Sequence, residues 1–131
     1  MIGYVTLGTD DLEQARVYYD ALLGTIGATR LMQFGDEEGG FTMYGTAMDQ
    51  PALVLVRPHN REPADCGNGN MVAIVLDSSE KVDAFHAKAI ELGGVDEGAP
   101  GYRGDPAFGY YFGYFRDPDG HKLAAFNIAR R

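Results

Sequence analysis

The spacing of apolar residues is typical of strands in some segments and of helices in others. The order of these segments occurs twice along the chain. Ile2–Leu7 mixes β-branched, aromatic and aliphatic residues, as strands do. A helix is predicted over about 10–23, because Asp10 and Glu13 have capping-box spacing and Gly24 follows as a stop. Its apolar stripe has the helical period: Leu12, Ala15, Tyr19, Leu22 and Leu23. Three short strands follow, at 28–34, 41–44 and 52–56.

The same order begins again at Met71, with a strand over 71–76 and possible caps at 77–79. Shifting the sequence by 70 residues lays the first helical stripe on a second one, Val82, Phe85, Ala89 and Leu92, which ends at Gly93-Gly94. Downstream we predict a short strand at 95–98, a Pro/Gly loop at 99–106, an aromatic strand at 109–116, a turn at 117–120 and a last strand at 121–128. The pattern predicts an α+β fold of two tandem βαβββ modules.

A polar segment separates the two modules. Residues 57–70 contain two prolines and no apolar period, which is typical of a linker or a binding loop. We predict one domain over 1–131, with module 1 at about 1–58, an inter-module loop at about 58–70 and module 2 at about 71–131.

Composition excludes several classes of function. The 11 basic and 19 acidic residues give a net charge of −8, which disfavours nucleic acid and anionic membrane surfaces as partners. A mean hydropathy of −0.22 and the absence of a long apolar run argue against a membrane span. The single cysteine, Cys66, cannot form an intrachain disulfide, and the N-terminus resembles a strand more than a signal peptide. We therefore predict a cytoplasmic protein.

Two segments of the sequence resemble the signatures of a known family. The opening YVTLGTDDL at 4–12, with Tyr18-Tyr19 and Leu23-Gly24, and the closing FRDPDGHKL at 115–123 resemble the glyoxalase/bleomycin-resistance/dioxygenase family, the vicinal oxygen chelate superfamily. The resemblance implies a curved mixed sheet around a cleft, a small-molecule ligand and a homodimer.

The same resemblance implies four metal-ligand positions, usually His, Glu or Gln, one on each of four strands. Here they fall on Tyr4, on Val54 or an immediate neighbour, on Met71 and on Ala124. Only Tyr4 carries an oxygen, and a neutral phenol is a poor ligand for the divalent ions of such sites. We predict neither a metal nor another cofactor.

Strand alternation gives an independent view of the cleft. One face is aliphatic and suited to packing under the helices: Val5, Leu7, Leu53, Leu55, Val72, Ile74, Leu76, Leu123 and Ala125. The opposite face is apolar with a few polar groups, which suits an organic ligand better than an ion: Tyr4, Thr6, Val54, Val56, Met71, Ala73, Val75, Lys122, Ala124 and Phe126. Strand 109–116 has aromatic residues on both faces, and either face could line the cleft.

The ligand contacts predicted from these arguments are Tyr4, Thr6, Val54, Arg57, His59, Met71, Tyr102, Arg103, Lys122, Ala124 and Phe126. Arg57 and His59 are placed at the mouth of the cleft. Tyr102 and Arg103 are placed in a loop that the resemblance suggests is a lid, with a plain surface loop as the alternative. No catalytic residue is predicted.

Three hypotheses of function follow. The first is a metal-free module that binds a small organic molecule, one version being a drug-sequestering protein, with the charge of −8 favouring a cationic ligand. The second is a metal-dependent lyase, isomerase or dioxygenase, which a one-residue register slip would permit because it exchanges the two strand faces. The third is a domain that acts through its surface as a subunit of a larger assembly.

Overall fold

The computed structural model describes residues 1–129. The chain divides into two compact units, Met1–Cys66 and the residues from Gly67 onward. Each unit contains one α-helix and one four-stranded mixed sheet. This confirms the predicted α+β class and the repeated order of elements.

The elements of the first unit follow the predicted order. They are β1 (Tyr4–Gly8), α1 (Leu12–Gly24), β2 (Thr29–Gln33), β3 (Thr42–Gly45) and β4 (Ala52–Val56). The strand order in the sheet is β1-β4-β3-β2, with β1 parallel to β4 and the other pairs antiparallel. Residues 57–70 contain no helix or strand, as the sequence predicts for this segment.

Helix α1 buries its apolar stripe on one face of this sheet. The ring of Tyr19 lies 6.4 Å from that of Tyr44, and the Nε of Arg16 donates a hydrogen bond to Thr42 at 2.9 Å. Residues on β3 that face α1 stand opposite Leu53 and Leu55 of β4, because Thr42 pairs with Leu55 and Tyr44 with Leu53. The aliphatic face of the first module therefore lies under its helix, as predicted.

A polar cluster ties α1 to two strands of the sheet. The Asp20 carboxylate accepts hydrogen bonds from Arg30 Nε at 2.8 Å, Arg30 Nη2 at 2.7 Å and the Tyr44 hydroxyl at 2.7 Å. The Arg30 guanidinium holds the pKa of Asp20 below its usual value, while burial raises the pKa of Tyr44.

The second unit repeats the arrangement of the first. Its elements are β5 (Val72–Val75), α2 (Ser79–Glu91), β6 (Val95–Tyr102), β7 (Tyr110–Arg116) and β8 (Lys122–Ile128). The strand order is β5-β8-β7-β6, with β5 parallel to β8 and the other pairs antiparallel.

Helix α2 covers alternate residues of β7. The ring of Phe85 lies 6.0 Å from the buried ring of Phe115, and the Tyr111 hydroxyl donates to Asp83 at 2.5 Å. This bond to a carboxylate raises the pKa of Tyr111 to about 12. A side chain at Gly113 would crowd Pro100 and His86, at 3.0 and 3.3 Å from its Cβ. The residues of β7 on the helix side are therefore Tyr111, Gly113 and Phe115.

Three local predictions at the helix ends and on β6 need correction. The cap of α1 is Asp11, which accepts from Gln14 N–H, whereas Asp10 accepts from Ala64 N–H at 2.8 Å. Gly24 is the last helical residue, and the left-handed position is Gly27, with φ of 79°. Strand β6 continues to Tyr102 instead of ending at 98, because register shifts at Gly98 and Gly101 accommodate the Pro/Gly sequence on an outer strand.

Replacing Phe115 by alanine is expected to lower the free energy of unfolding by about 3–5 kcal/mol, because the ring is fully buried against α2. Phe108→Ala is the control, since that ring is 62% exposed, and should change stability by less than about 0.5 kcal/mol. Urea unfolding followed by circular dichroism measures both. Equal losses in the two variants would contradict the assigned core.

Asp20→Asn should lower stability at neutral pH by about 0.5 kcal/mol, a value reduced for the partial exposure of the pair. The folded-state pKa of Asp20 is depressed, so its contribution is present above the unfolded pKa of about 3.9 and is lost as pH falls through the folded value. The difference from the parent should therefore vanish in acid. Asp49→Asn, an exposed site, is the control for melting curves at neutral and low pH. A difference that persists unchanged in acid would argue against the ion pair.

Candidate functional site

The side of the second sheet away from α2 carries three neighbouring rings, which we call the aromatic face: Phe112, Tyr114 and Phe126. Phe112 of β7 pairs directly with Phe126 of β8, and their rings stack with centroids 4.9 Å apart and planes 8° apart. Tyr114 continues the row, 6.0 Å from Phe112 at an angle of 15°. All three are partly exposed.

The stacking determines what this face offers to a ligand. Two parallel rings 4.9 Å apart are too close to lie side by side in one plane, so Phe112 and Phe126 turn their faces toward each other. Stacking therefore covers one face of each ring, and the surface that remains includes the ring edges, where the aromatic quadrupole is positive. Such edges favour the face of another aromatic ring or an electron-rich group.

Two cations flank Tyr114. The Nζ of Lys122, on β8, and the Cζ of Arg103, just after β6, each lie 5.3 Å from the centroid of its ring. Arg103 Nη1 and Nη2 donate to the carbonyls of Gly101 at 3.1 Å and Ala99 at 2.9 Å, which fixes the guanidinium along the outer strand.

A glycine provides the room for this arrangement. Gly98 stands opposite Tyr114 in the β6–β7 ladder. A Cβ at Gly98 would come within 3.0 Å of the Tyr114 ring and 3.4 Å of Arg103 Nη2. The missing side chain thus allows the guanidinium and the ring to approach each other.

His86 supports Tyr114 from the opposite side of the sheet. Its Nε2 lies 3.0 Å from Asp96 Oδ1 and 3.1 Å from the Tyr114 carbonyl, two acceptors that require the proton on this nitrogen. Asp96 also accepts a hydrogen bond from Gly98 N–H at 2.9 Å. This bond is the main cause that lowers the pKa of Asp96, and the bond with His86 lowers it further. Only 7% of His86 is exposed. It is a structural clamp between α2, β6 and β7.

The structure brings only some of the predicted ligand residues of module 2 together. Lys122, Arg103 and Phe126 belong to the group just described. Met71 is 45% exposed beside the start of β5, whereas Ala124 has no exposed surface and can serve only as floor in this conformation. Tyr102 is the last residue of β6 rather than part of a loop. Its ring packs 5.1 Å from that of Tyr111, the residue bonded to α2, so it lies away from the aromatic face.

In the first unit, the predicted residues of the strands lie on the side of the sheet away from α1. Tyr4 is 51% exposed and meets the ring of Phe41 edge-on at 5.8 Å. Thr6 is exposed and pairs with Val54, which is 0% exposed and therefore cannot meet a ligand in this conformation.

Arg57 and His59 lie in the segment after β4. Arg57 is 3.9 Å from Asp36 and lines an open polar depression of about 350 Å³ with Thr9 and Arg61. His59 is exposed in the loop. Arg57 therefore has polar surroundings and is not part of an apolar surface.

The residues at the four implied metal positions do not fit an ion. They offer a phenol, an isopropyl group, a thioether and a methyl group, and the second and fourth, Val54 and Ala124, are fully buried. Within residues 1–129, no three His, Cys, Asp or Glu side chains come together in a way that could hold a metal.

Comparison with known proteins identifies the family. The model of the Glyoxalase/Bleomycin resistance protein/Dioxygenase superfamily matches residues 1–125. The chain belongs to this superfamily. No curated protein matches it. Across the described part of the chain, no helix is both long and apolar enough to cross a membrane.

Solved structures resemble the whole chain. A glyoxalase/bleomycin resistance protein from Albidiferax ferrireducens T118 is 35% identical, with a TM-score of 0.81 and coverage of 98% of this chain and 99% of that one. TnmS3, an antibiotic binding protein from Streptomyces sp. CB03234, is 20% identical, with a TM-score of 0.69 and coverage of 98% and 96%. Lactoylglutathione lyase from Agrobacterium tumefaciens is 21% identical, with a TM-score of 0.67 and coverage of 97% and 92%. The last two show a shared fold.

Sequence reasoning left Phe112 and Tyr114 unassigned, although the sequence contains a signal that would have placed them. The turn after Arg116 pairs that residue with Lys122, so counting outward pairs Tyr114 with Ala124 and Phe112 with Phe126. Directly opposed residues share a face. The assignment of Lys122 and Phe126 to the open face therefore places Phe112 and Tyr114 on that face too.

Proposed function

We propose that this protein binds a small organic molecule on the aromatic face and does so without the metal centre of its metal-dependent relatives. The observation that carries the proposal is the row of parallel rings, Phe112, Tyr114 and Phe126, left partly exposed on the side of the sheet away from the helix. Binding surfaces for small molecules are mostly apolar with a few placed polar groups, and Lys122 and Arg103 supply such groups here.

The support behind the rings favours binding. Tyr114 is held through its carbonyl by buried His86, and Phe112 and Phe126 hold each other by stacking. A surface whose side chains are already fixed loses little conformational entropy when a ligand arrives. A precedent with the same fold is TnmS3, described as an antibiotic binding protein.

Metal analysis tests the second half of the proposal. Protein purified without chelator should contain far less than one divalent ion per chain, because the four implied positions offer one phenol, one thioether and two hydrocarbon groups. Inductively coupled plasma mass spectrometry after dialysis measures this. One ion per chain that only a chelator removes would contradict the proposal and favour a metal-dependent lyase, isomerase or dioxygenase.

Probe binding tests the first half. Naphthamide, a neutral two-ring molecule, should bind the parent protein, and Phe112→Leu should weaken its affinity about three- to tenfold, because stacking and edge-to-face contacts are lost. Phe108→Leu, which removes an exposed ring elsewhere in the same unit, is the matched control. Isothermal titration calorimetry measures both. Binding that is absent, or equally affected by the two variants, would contradict the assigned site.

We further propose that the protein is a homodimer. Strand β5 is an outer strand of its sheet, and Val75 on it is 69% exposed, so a row of backbone groups and apolar surface is open to pairing. Light scattering should give twice the chain mass of 14.2 kDa. Val75→Lys should shift the mass toward that of one chain, whereas Val17→Lys, at an exposed position on α1, should not. A single-chain mass for the parent would refute the dimer.

A further inference from the structure

We propose that the ligand of the aromatic face is an aromatic anion, such as an aromatic carboxylate, with its ring on the edges of Phe112 and Phe126 and its negative charge near Lys122 and Arg103. This inference rests on the proposed function and adds the chemical class of the ligand. It replaces the cationic ligand that the net charge of −8 suggested.

The first step concerns how the basic side chains are paired. Some cations elsewhere pair with carboxylates: Arg116 with Glu97 at 2.7 Å, Arg30 with Asp20 at 2.7 Å and Lys81 with Asp77 at 2.8 Å. Arg16 and Arg61 instead donate hydrogen bonds to uncharged oxygens. Within residues 1–129, Lys122 and Arg103 have no carboxylate within ion-pair distance, although acidic residues outnumber basic ones in the whole sequence. Both cations lie instead against one tyrosine ring.

The second step concerns the donors that remain on Arg103. A guanidinium has five N–H groups, and two hydrogen bonds to the neutral carbonyls of Gly101 and Ala99 leave its positive charge uncompensated. These two bonds also fix the side chain in place. A planar carboxylate is the group that a fixed guanidinium recognises best, because two parallel hydrogen bonds match its fork.

The third step concerns the rings. The stacking of Phe112 on Phe126 covers one face of each ring and leaves positively polarised ring edges in the surface that remains. Such edges attract the face of a ligand ring, and they repel a cation. Arg103, Lys122 and the ring edges therefore all favour a ligand that is aromatic and negatively charged.

The last step weighs this local field against the net charge. The charge of −8 is spread over the whole chain, and salt screens charges beyond a Debye length of about 8 Å at physiological ionic strength. Groups in direct contact with a ligand are screened much less. The net negative charge slows the approach of an anion, whereas Lys122 and Arg103 determine its affinity once it is bound.

Three probes of one shape separate the possibilities: naphthoate, naphthamide and naphthylmethylammonium, which are an anion, a neutral molecule and a cation. We expect naphthoate to bind about five- to twentyfold more tightly than naphthamide, and the ammonium probe to bind most weakly. Added salt should reduce the affinity for naphthoate and leave that for naphthamide unchanged.

Matched variants assign the effect to the two cations. The double variant Lys122→Met with Arg103→Gln should reduce the preference for naphthoate over naphthamide to within about twofold, while naphthamide affinity is retained. Lys81→Met removes the same charge from exposed α2 and should leave the preference intact. Each single variant provides an independent reading if the double variant does not fold.

The outcomes separate this inference from the proposed function. Naphthamide binding equal to naphthoate binding, or tightest binding of the ammonium probe, overturns the anion inference and leaves the binding function standing. Binding of none of the probes overturns both. If instead Phe112→Leu dissociates a dimer without changing any probe affinity, the aromatic face is an interface between copies and the inference is wrong.

Discussion

The antiparallel register between β7 and β8 decides which aromatic rings are buried and which stay open. Because the turn pairs Arg116 with Lys122, Phe115 falls opposite Leu123 on the side of α2, and Phe112 falls opposite Phe126 on the other side. A shift of one residue would place Phe115 in the open and bury the charged Arg116 under the helix. Burying the Arg116 charge without a partner would cost free energy, and this cost keeps the register fixed. The fixed register in turn aligns the row of rings on which the proposed binding function depends.

Most of the fold could be predicted from the spacing of apolar residues along the chain. In each helical segment this spacing gathers the apolar side chains on one side only if the segment is a helix. The stripe of α2, for example, places Val82, Phe85 and Ala89 in the core. The choice of cap for α1 depended on a distant partner. Asp10 and Asp11 are equally good caps in isolation, and the choice between them is made by Ala64, a residue 54 positions away whose N–H bonds to Asp10.

The candidate site was less predictable for the same reason. The open faces of β1, β4, β5 and β8 followed from alternation, but alternation says nothing of how much neighbours cover a small side chain, and Val54 and Ala124 proved to be fully buried. The resemblance suggested that Arg103 belongs to a lid, yet its guanidinium reaches Tyr114 because Gly98 on β6 lacks a side chain. A contact made by a long side chain with a neighbouring strand cannot be inferred from the spacing of residues in the sequence.

The two units show how one arrangement of elements can carry different chemistry. In the first, the helix is tied to its sheet by a carboxylate, Asp20, bonded to Arg30 and Tyr44, whereas in the second the tie is the imidazole of His86, bonded to Asp96 and to the backbone under Tyr114. The second tie fixes a residue of the open face from behind. A metal site needs nitrogen or oxygen ligands on that face. The proposed site instead has aromatic rings on that face, with the cationic side chains of Lys122 and Arg103 beside them. A bound anion would supply the opposite charge that these two cations lack.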